Sequence, residues 1–224
     1  MESSLKTTNG QEGQGAGDRR PIAARNLGAS ARLAGWLIRH RASPNGISAA
    51  GMVSGLLAGL ALAGTWWWPD AARPLFLAAA LLIQLRLLAN LMDGMVAIGR
   101  GIASPVGELW NEVPDRVSDT ATLLGLGIAA GSPAWGLAAA LAAMATAYIR
   151  ATGKAAGASS DFRGPMAKQQ RMALVTLAAI LCAFVPRGWQ PELALWALAA
   201  ITALAAFTAL RRLHGIARAL RNRA

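Results

Sequence analysis

Six apolar stretches follow one another along the chain, at about 46–65, 74–98, 106–130, 133–153, 170–186 and 191–212. A helix that crosses the hydrocarbon core of a bilayer needs roughly 20 apolar residues. In lipid, only helices or closed barrels satisfy every backbone polar group. The spacing therefore predicts an all-α polytopic membrane protein with six transmembrane helices. Pro69, Pro74, Pro133, Pro186 and Pro191 mark the turns. Gly51, Gly55 and Gly59 repeat at a spacing that lets helices approach closely. Composition agrees, because 54% of the 224 residues are hydrophobic and only 15% are charged. A soluble domain carries about a quarter charged residues. A disordered chain, a disulfide scaffold and a soluble nucleic-acid binder are all excluded. The single Cys182 can form neither an intrachain disulfide nor a cysteine-based metal site.

The flanks differ from this interior. Residues 1–25 are polar and Gly-rich, lack the apolar core of a signal peptide, and read as a disordered tail. The membrane domain then covers 26–212, and 213–224 form a basic cytoplasmic tail. Leu27 to His40 is too short and too basic to span. It reads as an interfacial helix on the membrane surface, or equally as an amphipathic helix packed on protein. A cytoplasmic N-terminus puts eighteen of the 22 Lys and Arg on the cytoplasmic side, with both termini there. Trp66, Trp67, Trp68, Trp135 and Trp189 then gather at the opposite interface. The net charge of +11 is thus explained by topology rather than by nucleic acid.

Hydropathy does not explain the charges inside the second and third stretches. The second holds Arg86, Asn90 and Asp93; the third holds Glu108, Asn111, Glu112, Asp115, Arg116 and Asp119. A charge at the centre of a spanning helix costs about 2.5–3.5 kcal/mol on insertion scales. Such groups face a cavity, pair with each other or bind something. At 100° per residue, Arg86, Asn90, Asp93 and Ala97 share one face. Glu108, Asn111, Glu112, Asp115 and Asp119 share an arc on the next helix. Facing stripes of hard oxygen donors suit Mg²⁺ or Mn²⁺. Gly94 and Gly107 leave room beside them for a bulky ligand. The plainer alternative is that the acids only salt-bridge Arg86 and Arg116 and fix helix register. A basic segment, Arg163 to Arg171, precedes the fifth stretch; Lys168 and Arg171 could hold phosphate, or serve as an ordinary positive-inside loop.

The stretch from Asn90 to Asp115 resembles the signature of the CDP-alcohol phosphatidyltransferases, Asp-x2-Asp-Gly-x2-Ala-Arg-x8-Gly-x3-Asp-x3-Asp. Its positions fall on Asn90, Asp93, Gly94, Ala97, Ile98, Gly107, Asn111 and Asp115 with the spacing kept throughout. Residue type agrees at Asp93, Gly94, Ala97, Gly107 and Asp115. The first and third aspartates are asparagine here, and the arginine is Ile98. The chain also resembles a bacterial subgroup that carries these asparagines with a Gly164-Pro165-x2-Lys168-x2-Arg171 segment. The resemblance implies that Asp93, Asn90, Asn111 and Asp115 hold the metal and the CDP pyrophosphate, and that Asp115 activates the acceptor. Glu108, Glu112 or Asp119 would compensate for the missing carboxylates. Gly94, Ala97, Gly107, Asn45 and Ser48 would line the CDP pocket, and Lys168 and Arg171 would bind phosphate on the acceptor or the lipid.

The implied function is transfer of a phosphatidyl group from a CDP-alcohol, CDP-diacylglycerol in the first instance, to an acceptor hydroxyl, with release of CMP. The implied setting is phospholipid biosynthesis in the bacterial inner membrane, with a cytoplasmic active site, membrane lipids as surroundings and a homodimer as the assembly. The sequence does not name the acceptor. A non-catalytic lipid- or nucleotide-binding protein that kept the fold is the alternative. A small cation transporter is a third reading, against which the chain shows no evident inverted repeats.

Overall fold

A computed structural model describes residues 28–102, 105–159 and 162–222, leaving aside the side chains of Pro105 and Glu108. The expected tail at 1–25 lies outside the described residues, and so does the side chain of Glu108, one of the candidate compensating acids. Seven helices follow in order: α1 (Gly28–Arg39), α2 (Pro44–Trp67), α3 (Ala72–Gly99), α4 (Pro105–Ala129), α5 (Pro133–Ala155), α6 (Lys168–Phe184) and α7 (Gln190–Arg221). No strand occurs among the described residues.

Helices α2 to α7 stand where the six apolar stretches are, to within a few residues at most ends. Four of them, α2, α3, α5 and α7, are long and apolar enough to cross a membrane. The other two fall short for visible reasons. Helix α4 carries Glu112, Asp115, Arg116 and Asp119, and α6 has 17 residues and begins with Lys168 and Arg171. Helix α7 runs on through 213–221, with Arg212 and Ile216 buried.

Glycine brings α2 against its neighbours. A Cβ on Gly59 would sit 2.4 Å from the Ala121 carbonyl oxygen, and one on Gly125 only 2.2 Å from the Gly59 carbonyl oxygen. Backbone meets backbone there, so no side chain can give way. A Cβ on Gly55 would meet Ser118 at 2.5 Å and Arg86 Cδ at 2.9 Å. The small-residue repeat thus sets α2 directly on α3 and α4. Leu62, Phe76, Ile83, Leu126, Val175 and Leu198 fill the core between the helices. Leu60, Leu81, Leu141, Phe184, Trp196 and Phe207 point outward and are exposed. An apolar core with an apolar outer surface is what a lipid surround calls for.

Helix α1 lies across the end of α3. Ala34 is buried with Leu91 and Met92, and Leu33 and Leu37 pack beside them. Trp36 remains half exposed. One face of α1 therefore packs on protein, as the second of the two readings had it. An Arg100 Nη1 bond to the Ala42 carbonyl, 2.8 Å long, ties the α1–α2 turn to the end of α3.

Candidate active site

Chain direction explains how the polar residues meet. Helix α3 runs toward one end of the bundle, while α2, α4 and α6 start from that end. One turn back along α3 and one turn forward along α4 and α6 descend to the same depth. The polar side chains accordingly stack in three tiers, with Ser48, Asp93 and Asn111 uppermost. Asn90, Asp115 and Lys168 come next, and Arg86, Asp119 and Arg171 are deepest.

In the upper tier, Ser48 Oγ donates to Asp93 Oδ2 at 2.6 Å. The Gly94 amide donates to Asp93 Oδ1 at 2.5 Å, and Asn111 Nδ2 reaches that oxygen at 3.5 Å. Asp93 is only 3% exposed, yet no Lys or Arg among the described residues pairs with it. The middle tier is knit by N–H donors. Asn90 Nδ2 donates to Asp115 Oδ1 at 2.9 Å and to Asn111 Oδ1 at 3.1 Å. Lys168 Nζ donates to Asn90 Oδ1 at 2.7 Å and pairs with Asp115 Oδ2. In the deepest tier Asp119 sits between Arg86, at 2.5 Å, and Arg171. The same Arg86 Nη2 reaches up to Asp115 Oδ1 at 3.2 Å, joining the two lower tiers. Nε and Nη1 of both arginines are buried without a partner among the described residues.

Lys168 owes its place to the turn before α6. Gly164 takes φ +129°, a conformation side chains rarely adopt, and a Cβ there would meet Thr208 Cγ2 at 2.3 Å. The Met166 amide donates to Thr208 Oγ1 at 3.1 Å, and Arg212 Nε donates to the Arg163 carbonyl at 3.0 Å. The turn is thereby pinned to α7, and Lys168 emerges from it over α3 and α4.

The structure brings Asn90, Asp93, Asn111, Asp115, Ser48 and Lys168 together. It leaves Asn45 exposed on the first turn of α2 and Ile98 exposed on α3. Gly94 and Ala97 are half-buried along α3, and Gly107 half-buried along α4. Of the two acids offered as compensating ligands and described here, neither faces the tiers unpaired. Glu112 turns to Arg150 at 2.5 Å and Arg116 at 3.5 Å, and Asp119 is enclosed by its two arginines. Arg171 likewise points at Asp119 rather than into open space. The pairing of acids with Arg86 and Arg116 that the plainer reading anticipated is thus real for Asp115, Asp119 and Glu112, and absent at Asp93. Sequence reasoning noted Arg86 but missed the Arg86–Asp119–Arg171 pairing. The signal was there in the spacings 86/90, 115/119 and 168/171, each one helical turn.

A narrow cleft opens among Ser48, Gly51, Met52, Arg86, Asn90, Asn111, Pro114, Asp115 and Ser118. Hard oxygens suit a divalent cation. The upper tier fits one, because the Asp93 carboxylate lacks a cationic partner and Asn111 stands beside it. The middle tier does not, because its oxygens already accept from Lys168, Asn90 and Arg86. Among the described residues no three His, Cys, Asp or Glu gather as a metal cluster.

No family model matches the chain. Three curated relatives do. Archaetidylinositol phosphate synthase of Aeropyrum pernix is 34% identical over 144 residues, 64% of this chain and 72% of that protein. Inner membrane protein YnbA of Escherichia coli is 27% identical, covering 81% and 87%. Phosphatidylinositol phosphate synthase of Mycolicibacterium smegmatis is 25% identical, covering 80% and 79%. Among solved structures, the Mycobacterium tuberculosis phosphatidylinositol phosphate synthase with CDP-DAG bound superposes with a TM-score of 0.70 at 22% identity, covering 84% of this chain and 92% of that one. The same enzyme in complex with manganese and citrate gives 0.67 at 23% identity, covering 84% and 88%. The fold and the signature-spaced site define a membrane-embedded enzyme of phosphoryl-group transfer. The chain belongs to the CDP-alcohol phosphatidyltransferase family.

Proposed function

We propose that this protein transfers a phosphatidyl group from CDP-diacylglycerol to the hydroxyl of an acceptor alcohol. The acceptor oxygen attacks the phosphorus that carries the lipid alcohol, the phosphoanhydride bond breaks, CMP leaves, and the acceptor proton passes to Asp115. The observation that supports this best is the position of Asp115, which lines the cleft at the last spacing of the signature and is held on both oxygens. The reaction needs positioning and charge neutralisation more than covalent participation by the protein. Asp93 and Asn111 would hold a divalent cation, Mg²⁺ or Mn²⁺, which supplies charge neutralisation at the pyrophosphate when bound. Lys168 stands ready to hydrogen-bond phosphate. Ser48 orients Asp93, and Arg86 orients Asp115. The donor bound in a structure of the same fold supports the choice of CDP-diacylglycerol.

The same reading places all six of α2–α7 across the bilayer, with the tiers at the cytoplasmic face. The exposed apolar face of α4, formed by Val106, Leu109, Val113 and Val117, supports this for a helix whose other face is polar. The test is CMP release from CDP-diacylglycerol by purified protein with Mg²⁺ or Mn²⁺ and a pool of alcohol acceptors. Wild type should turn over, and Asp115→Asn should lose about 10²–10⁴-fold while remaining monodisperse. Saturable donor binding without CMP, over the whole pool, would instead favour a binding protein that kept the fold, the reading that Asn90, Ile98 and Asn111 motivate.

A further inference from the structure

We propose that Lys168 is the resident cation of the middle tier, so that the Asn90–Asp115 half of the site takes no divalent metal and meets the donor's phosphate with an ammonium group. Four observations converge on it. Lys168 Nζ contacts oxygens of two different helices, Asn90 Oδ1 on α3 and Asp115 Oδ2 on α4, which is where a bridging cation would stand. The other Asp115 oxygen accepts from Asn90 Nδ2 and from Arg86 Nη2, so neither oxygen of that carboxylate is bare. Asn90 supplies a neutral amide, so the tier holds one negative charge and one positive charge and has no surplus to attract a dication. Lys168 is also fixed from behind, through the Gly164 turn and its bonds to Thr208 and Arg212, rather than reaching in from a mobile stem.

The upper tier is the reverse case, with a buried carboxylate that no Lys or Arg among the described residues pairs with. The two tiers therefore divide the work: a metal belongs with Asp93, and a built-in ammonium belongs with Asp115. Asparagine at 90 and lysine at 168 are then two parts of one exchange. An aspartate at 90 beside Asp115 would call for more positive charge than one ammonium provides, and a dication there would be repelled by Lys168. Lys168 also keeps a hydrogen-bonding ammonium directly beside the group that receives the acceptor's proton. Only the identity of the phosphate ligand rests on the transferase reading; cation occupancy does not.

Mn²⁺ titration of the detergent-purified protein, followed by electron paramagnetic resonance, tests this without reference to turnover. Wild type and Asp115→Asn should bind Mn²⁺ in the same amount and with the same affinity, because Asp115 is not a ligand. The double variant Lys168→Gln with Asn90→Asp should gain about one Mn²⁺ per chain, since it restores a second hard-oxygen set. Adding Asp115→Asn should remove that gain, and Lys168→Arg alone should produce none. Loss of Mn²⁺ from wild type on Asp115→Asn overturns the assignment, and so does a folded double variant that gains no Mn²⁺. If the double variant does not fold, the comparison of wild type with the near-isosteric Asp115→Asn decides. An enzyme that released no CMP yet passed this test would refute the transferase reading and leave Lys168 in its role.

Discussion

Asp93 and Asp115 stand on neighbouring tiers of α3 and α4, are both buried, and match the same signature, yet their surroundings are opposite. Among the described residues, Asp93 accepts only from a hydroxyl, an amide N–H and, at 3.5 Å, a carboxamide. Asp115 touches a carboxamide, a guanidinium and an ammonium. The difference teaches that spacing along a helix fixes where a carboxylate lies but not its partners. Those come mostly from other helices, here α2 and α4 for Asp93 beside its own Gly94 amide, and α3 and α6 for Asp115.

The comparison can be broken most severely from below. Asp119→Ala takes from buried Arg171 the carboxylate it pairs with and leaves Arg86 its longer bond to Asp115, and removing one partner of a buried ion pair costs about 3–5 kcal/mol. Thermal unfolding in detergent should register that loss, and an unchanged melting temperature would show that the middle tier does not depend on the deepest one. A smaller change comes from behind Lys168. Gly164→Ala forces a side chain into positive-φ backbone and against Thr208, at about 1–3 kcal/mol. It should also shift the Lys168 contact, read as weaker inhibition by inorganic pyrophosphate. On the Asp93 side, Ser48→Ala removes an orienting hydrogen bond and should weaken Mn²⁺ binding about 10–100-fold with little effect on melting. Equal weakening in Ser48→Ala and Asp115→Asn would erase the distinction between the tiers. The smallest effect belongs to the opposite end of the molecule. The Arg187–Asp70 pair there, 2.9 Å long, is largely exposed. Arg187→Ala should change stability by less than about 1 kcal/mol.

Much of this architecture was legible in the sequence. Apolar length located all six helices from α2 to α7, and the glycine repeat anticipated the close approach of α2. Periodicity put Asn90 and Asp93 on one face and Asn111 and Asp115 on another. What periodicity could not supply was pairing across long separations. Asp119 was read as a spare ligand because the wheel shows direction only; its partners Arg86 and Arg171 stand 33 and 52 residues away. The count of spans shows the same limit. Hydropathy averages over a whole helix, so α4, apolar on one face and charged on the other, scores below its neighbours.

The deepest tier also constrains how the protein can be made. In the proposed six-span arrangement, Arg86 would enter the bilayer on α3 and Asp119 on α4, each costly if inserted by itself. The two are joined by a short connection and meet at 2.5 Å. The α3–α4 hairpin is therefore the smallest piece in which Arg86 and Asp119 enter paired, and α4 is a poor insertion signal without α3. Arg171 arrives only with α6, after synthesis of α5, so the last buried charge finds its partner late. Truncations of the nascent chain after α4 should integrate, whereas chains with α4 transplanted behind a neutral helix should slip to the membrane surface.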